Sequence, residues 1–187
     1  MPISQIVTNS IASGQTITSP VIAGTPTGVG VLTLGTAQAS TSGTSIDFTS
    51  IPSWVKRITV NFNGISTNGT SPLQIQIGSG SITTSGYKTQ GAYISGTAAL
   101  ATVYSTGFVF INSTASAYPY SGAVTLTLIG SNTWCGTGTV SLDTATSAIF
   151  MSSGASPALS GTLDQVRITT VGGTDTFDAG TINILYE

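Results

Sequence analysis

Six side chains can trade protons as carboxylic acids: Asp47, Asp143, Asp164, Asp175, Asp178 and Glu187. Two carboxylates flanking a sugar linkage are the machinery of glycoside hydrolysis, one giving a proton while the other attacks or activates water. Asp175 and Asp178 lie close together, in Gly172-Gly173-Thr174-Asp175-Thr176-Phe177-Asp178. Such a run more readily forms a turn in which Asp side chains accept from neighbouring backbone N–H groups. A turn is therefore the expectation, and the loop has too few oxygens to be a good calcium site. Hydroxyl nucleophiles abound, yet the chain has no His to take a proton from one. Cys135, in Thr133-Trp134-Cys135-Gly136, reads as a small buried apolar residue. Lys56 and Lys88 lack the Gly-Lys-Ser/Thr context of a phosphate-binding loop.

Aromatic rings are the remaining candidates for ligand contact. Tyr118-Pro119-Tyr120, Tyr87, Tyr93, Tyr104, Trp54 and Trp134 include rings that could stack on a sugar or meet a partner. Tyr118, Tyr120, Trp54 and Tyr87 are singled out for that role. The alternative for Tyr118-Pro119-Tyr120 is a packed turn whose backbone Pro119 fixes. Lys56, Arg57 and Arg167 sit beside strand starts. They pair with Asp47 or Asp164 across a subunit boundary, fixing register, or are ordinary solvated charges.

Composition narrows the field further. The 187 residues include 26 Ser, 33 Thr and 23 Gly, and only 5% are charged, against about 25% in an ordinary soluble domain. A net charge of −2 provides no basic surface for a phosphate backbone, so nucleic acid is not an expected partner. Without His and with one Cys, no His-metal cage and no internal disulfide can form, and no cofactor is expected. The opening residues lack a basic region followed by an apolar run, as a secretory signal would have. The most apolar stretch, residues 98–111, is interrupted by Thr102, Ser105, Thr106 and Gly107 and is too short to span a bilayer. No membrane association is expected. Asn68-Gly69-Thr70 and Asn112-Ser113-Thr114 match the glycosylation acceptor pattern by chance in so Thr-rich a chain. A neutral surface of Ser and Thr hydrates without repelling, which favours a chain packed against copies of itself or a larger assembly.

The elements that must position these residues are strands. Residues 1–44 carry no charge, and Ile6, Ile11, Ile17 and Ile22 are spread among Ser, Thr, Gly and Asn. This segment reads as an extended arm that orders against a neighbour, with those four Ile as its contacts. From residue 45 to 187, short alternating runs are separated by turn residues, the pattern of an all-β sandwich. Ile58, Val60 and Phe62 alternate with Thr59 and Asn61, and Leu73, Ile75 and Ile77 with Gln74 and Gln76. Val124, Leu126 and Leu128 alternate with Thr125 and Thr127. Phe108-Val109-Phe110-Ile111 is apolar on both faces, as a central strand is. Asn63-Gly64, Asn68-Gly69 and Gly172-Gly173 supply turns. Roughly eight or nine strands fit two packed antiparallel sheets, jelly-roll-like.

Five stretches share a further pattern: Ser45-Ile46-Asp47-Phe48-Thr49-Ser50-Ile51-Pro52, Val55-Lys56-Arg57-Ile58, Phe62-Asn63-Gly64-Ile65-Ser66, Gln76-Ile77-Gly78 with Thr84-Ser85-Gly86-Tyr87, and residues 166–187. Together they resemble the β-sandwich domain of tailed-bacteriophage tail-fibre-like and virion-surface proteins. The similarity covers residues 44–187. The arm also looks like the Thr- and Ile-rich segments by which such proteins attach to a particle. The resemblance implies a non-enzymatic structural protein of the virion head or tail surface, made in the host cytoplasm. It implies a homotrimer, docked through its arms on other virion proteins. The missing fibre shaft favours a short spike or capsid decoration, and a bulky Trp54 departs from the small residue expected in that turn. Recognition of a host surface glycan, as a receptor-binding tail protein, is the alternative function.

Overall fold

Thr, Ile and Val suit a pleated surface, and among the described residues fourteen strands form where they concentrate. The structure is a computed structural model describing residues 32–112, 115–144 and 148–187. The expected arm contacts Ile6, Ile11, Ile17 and Ile22 lie outside the described residues. In chain order the strands are β1 (Thr33–Leu34), β2 (Gln38–Ala39), β3 (Ser45–Thr49), β4 (Arg57–Thr67), β5 (Leu73–Ser79), β6 (Ser81–Ile82) and β7 (Lys88–Ser95). β8 (Ala98–Tyr104), β9 (Phe108–Ile111), β10 (Tyr120–Gly130), β11 (Thr133–Leu142), β12 (Ala148–Ala155), β13 (Gln165–Thr170) and β14 (Phe177–Tyr186) follow.

All pairings are antiparallel, and they build two sheets packed as a sandwich. The larger sheet runs β1-β14-β4-β10-β11-β12-β7-β8, with β2 also on β14. The smaller runs β3-β13-β5-β6, with β9 also on β5. Period-2 alternation is preserved from strand to strand, so whole rows share a face. One row crosses the large sheet as Ile182, Phe62, Gly122, Val140, Phe150, Tyr93 and Leu100, facing the core. The adjacent row, Asn183, Asn61, Ala123, Thr139, Met151, Ala92 and Ala101, faces away. From the small sheet Ile46, Phe48, Leu73, Ile75, Ile77, Val166 and Ile168 close the core. Each such side chain, fully buried, contributes about 1.5–3 kcal/mol.

β9 is buried on both faces, as its composition requires, yet it is not central. It pairs only with β5 and packs against β7, β11 and β12 of the opposite sheet. Glycine makes that approach possible. A Cβ on Gly136 would stand 2.6 Å from the Phe108 ring.

Two expectations need revision. Asn63-Gly64 is not a hairpin turn but lies inside β4. The ladder shifts register there, between Ala179 and Thr181 on one side and between Tyr120 and Gly122 on the other, with Gly64 at φ 62° and Gly180 at φ 94°. Asn-Gly tolerates the left-handed backbone of a bulge as well as that of a turn. Residues 33–39, assigned to the arm from their composition, are also strands on β14. Gly35 N–H donates to the Ile184 carbonyl and Ser40 N–H to the Gly180 carbonyl. Main-chain hydrogen bonds to an edge need no apolar pattern, so composition did not reveal them.

Candidate functional site

The four aromatic candidates divide into two kinds. Tyr87 and Tyr120 are core residues, each 2% exposed. The Tyr87 ring meets Phe108 edge-on at 5.3 Å, and Tyr120 meets Phe150 edge-on at 5.4 Å. The Tyr87 oxygen accepts from Ile77 N–H at 2.9 Å and its hydroxyl donates to the Thr83 carbonyl at 3.0 Å. Burial pushes the Tyr87 phenol up to about 12, opposed by that backbone bond. Burial also raises the Tyr120 and Tyr104 phenols. Trp54 and Tyr118 are exposed at 41% and 44%. Trp54 precedes β4 and leans on Tyr186. Tyr118 lies by the far end of that strand, where Ala117 N–H donates to the Thr67 carbonyl. Eleven residues of strand put them about 30 Å apart, so they do not form one site.

Each carboxylate has a partner inside the chain. Asp175 accepts from Ser71 N–H at 2.8 Å, and Asp178 from the Ser66 hydroxyl. Asp164 accepts from Gly80 N–H at 2.9 Å and Asp143 from the Ser121 hydroxyl. Glu187 pairs with Arg57. Asp47 grips Arg167 through two parallel bonds, Nε to Oδ1 at 2.8 Å and Nη2 to Oδ2 at 2.7 Å. Those hydrogen bonds raise the Arg167 guanidinium above its ordinary value. Both ion pairs are therefore formed within one chain, where a subunit boundary was one expectation. Cys135 is half-buried, beside the buried Trp134 and on the alternate, outward side of β11. Among the described residues, no three His, Cys, Asp or Glu gather as metal ligands, and no helix is long and apolar enough to cross a membrane.

Two features unread in the sequence stand out on the surface. The first is a cleft of about 360 Å³ on the outer face of the small sheet. Its floor is a grid in which Arg167 and Gln76 make one row, with Asp47 paired to Arg167 at its end, and Ser45, Thr169 and Gln74 make the next. Gln74 and Gln76 point away from the core, yet they are 2% and 6% exposed. Thr106 holds them down: its carbonyl accepts from Gln76 Nε2 at 2.9 Å and its hydroxyl donates to Gln74 Oε1 at 2.8 Å.

The second feature is β8. Six of its seven residues are exposed, including Leu100 at 51% and Val103 at 72%. Among the described residues it closes one margin of the large sheet, and Leu100, although on the core-side row, is left half exposed there. Ile94 and Ile149, opposite one another on β7 and β12, are also about half exposed. No charged residue occurs anywhere in positions 89–142. A scan for these surfaces needs the chargeless window Ala-Ala-Leu-Ala-Thr-Val-Tyr rather than a chemical motif.

No protein-family model, curated protein or solved structure matches the chain.

Proposed function

We propose that this chain is a non-enzymatic structural piece of a phage virion surface, a short fibre, spike or capsid decoration that works in company with copies of itself. The observation that carries this reading is the outer face of β12, β7 and β8 at the margin of the large sheet. It exposes Ile149, Ile94 and Val103, and the chain has no charge from residue 89 to residue 142. Such a surface does not repel its own kind. The resemblance to virion-surface sandwiches supplies the setting, with residues 1–31 as the attachment segment. Quantitative mass spectrometry of purified particles tests it. The chain should be present at a fixed copy number per particle, and a chain lacking residues 1–31 should be lost from particles. Absence of the intact chain from particles would overturn the reading.

Glycan recognition is the second reading, and the small-sheet cleft favours it. Amide, hydroxyl and paired guanidinium–carboxylate groups in one concave face match the donors and acceptors of a saccharide. The chain would then bind a bacterial polysaccharide on an array, and Gln76→Ala would abolish that binding. An array with no signal removes this reading and leaves the first in place.

A further inference from the structure

We propose that β8 pairs antiparallel with β8 of a second copy, joining two large sheets edge to edge about a two-fold axis at Ala101. The inference builds on the reading of the chain as an assembly piece. A sheet margin exposes a row of unpaired N–H and C=O groups, which proteins normally guard with Lys, Pro, bulges or shortness. β8 has none of these guards. It is seven residues long, paired along its whole length with β7 from Ser95↔Ala98 to Thr89↔Tyr104, and without charge, Pro or Gly.

Among the described residues the chain offers itself one matching edge. Among the described margins, β1, β2 and β6 are two residues long, and β9 is buried on both faces. β3 is five residues long and carries Asp47. A second copy therefore meets β8 best with its own β8. No charge is stranded when chargeless edge meets chargeless edge. Seven residues of strand extend about 23 Å, and with side chains on both faces the pair covers on the order of 1,000 Å², the lower bound for a specific interface.

The register follows from backbone geometry. Outward-pointing N–H and C=O groups recur every second residue, so in a two-fold antiparallel pair a residue must face one of its own parity. Full overlap of residues 98–104 satisfies this with Ala101 opposite Ala101 of the second copy. Ala98 then faces Tyr104, Ala99 faces Val103 and Leu100 faces Thr102, small against large in each case but the last, where medium meets large. Shifting by two residues would set Leu100 against itself or Thr102 against itself and lose two pairs at the ends.

Charge at the axis tests the pairing in the full chain. Ala101 is exposed and on the outer face, so Ala101→Lys and Ala101→Glu leave the core untouched. Each alone places like charges directly opposite, and should weaken association at least tenfold by light scattering. Mixing the two should restore it. In a Cys135→Ser background, Ala101→Cys should oxidise to a covalent dimer while Ala99→Cys does not, because only residue 101 faces itself. Wild-type oligomers unaffected by either charge, with no Ala101→Cys dimer, would overturn the pairing and leave the assembly reading standing. A wild-type chain that stays monomeric at all concentrations would overturn both.

Discussion

Removing one oxygen atom from Tyr87 should open a gap in the small sheet. Along the outer side of β5, β9 pairs with Leu73, Gln74 and Ile75, and β6 with Gly78 and Ser79. Ile77 N–H falls between them, and the Tyr87 oxygen takes it at 2.9 Å. Tyr87→Phe preserves the ring against Phe108 but leaves a buried donor with no acceptor and deprives the Thr83 carbonyl of its donor. That costs about 1–3 kcal/mol, or a fall of about 2–12 °C in melting temperature for a domain of this size. Urea unfolding followed by tryptophan fluorescence, with the buried Trp134 as reporter, measures it. The phenol supplies a second, independent signature. Its pKa is raised to about 12 in the folded chain against 10.0 when unfolded. Its contribution is therefore complete below pH 10 and disappears as pH climbs through 12, amounting to about 3 kcal/mol. Burial of Tyr104 and Tyr120 acts in the same direction, so the decisive quantity is the difference between wild type and variant. Equal stability at pH 7, or parallel losses between pH 10 and 12, would refute the reasoning.

Three further changes test the packing. Gly136→Ala sets a methyl 2.6 Å from Phe108 Cδ1 and 3.0 Å from Leu126 Cδ2, and should cost about 1–3 kcal/mol; an unchanged melting temperature would show that β9 does not press on β11. Ser152 is 3% exposed and its hydroxyl has no hydrogen-bond partner among the described residues, so Ser152→Ala should stabilise by up to about 1 kcal/mol, and a loss in chemical denaturation counts against it. For Asp47 and Arg167, about one-third exposed, a double-mutant cycle with Asp47→Asn and Arg167→Gln should give a coupling of about 0.5–1 kcal/mol that shrinks as salt is added. A coupling that ignores salt would argue against a solvent-facing pair.

The core strands were legible because their alternation is carried by large apolar residues. Ile58, Val60 and Phe62 on β4, and Val124 and Leu126 on β10, face the core as their spacing requires. β7, β8 and β11 gave no such signal. In Thr-Gln-Gly-Ala and Cys-Gly-Thr-Gly-Thr the inward positions are Gly or Thr; at Gly136 β9 presses on the large sheet and leaves no room for bulk, and at Gly138 the neighbouring strand β10 does. Gly91 shows the same constraint, with Val109 and Asn112 at 3.0–3.1 Å from any added Cβ. Aromatic residues misled for the opposite reason. Tyr87 and Tyr120 have polar tips suited to a surface, but both rings are buried, and the Tyr87 oxygen finds its partners at Ile77 and Thr83. Sequence alone does not reveal where a hydroxyl will find its hydrogen bond.

The scarcity of charge has a consistent pattern behind it. Asp47–Arg167 clamps β3 to β13, and Arg57–Glu187 holds the start of β4 beside the residue after β14. Asp164 fastens the β5–β6 turn at Gly80, and Asp175 fastens the loop at Ser71. Asp164 and Asp175 thus accept from loop N–H groups, and the small sheet's edge at β3 carries a charged residue, Asp47. The far margin of the large sheet is left without any. If β8 faced water throughout the life of the protein, a single Lys there would have suppressed edge pairing at negligible cost to folding. An unguarded margin in a chain that spends its few charges on guarding others is best explained as one that is meant to be covered.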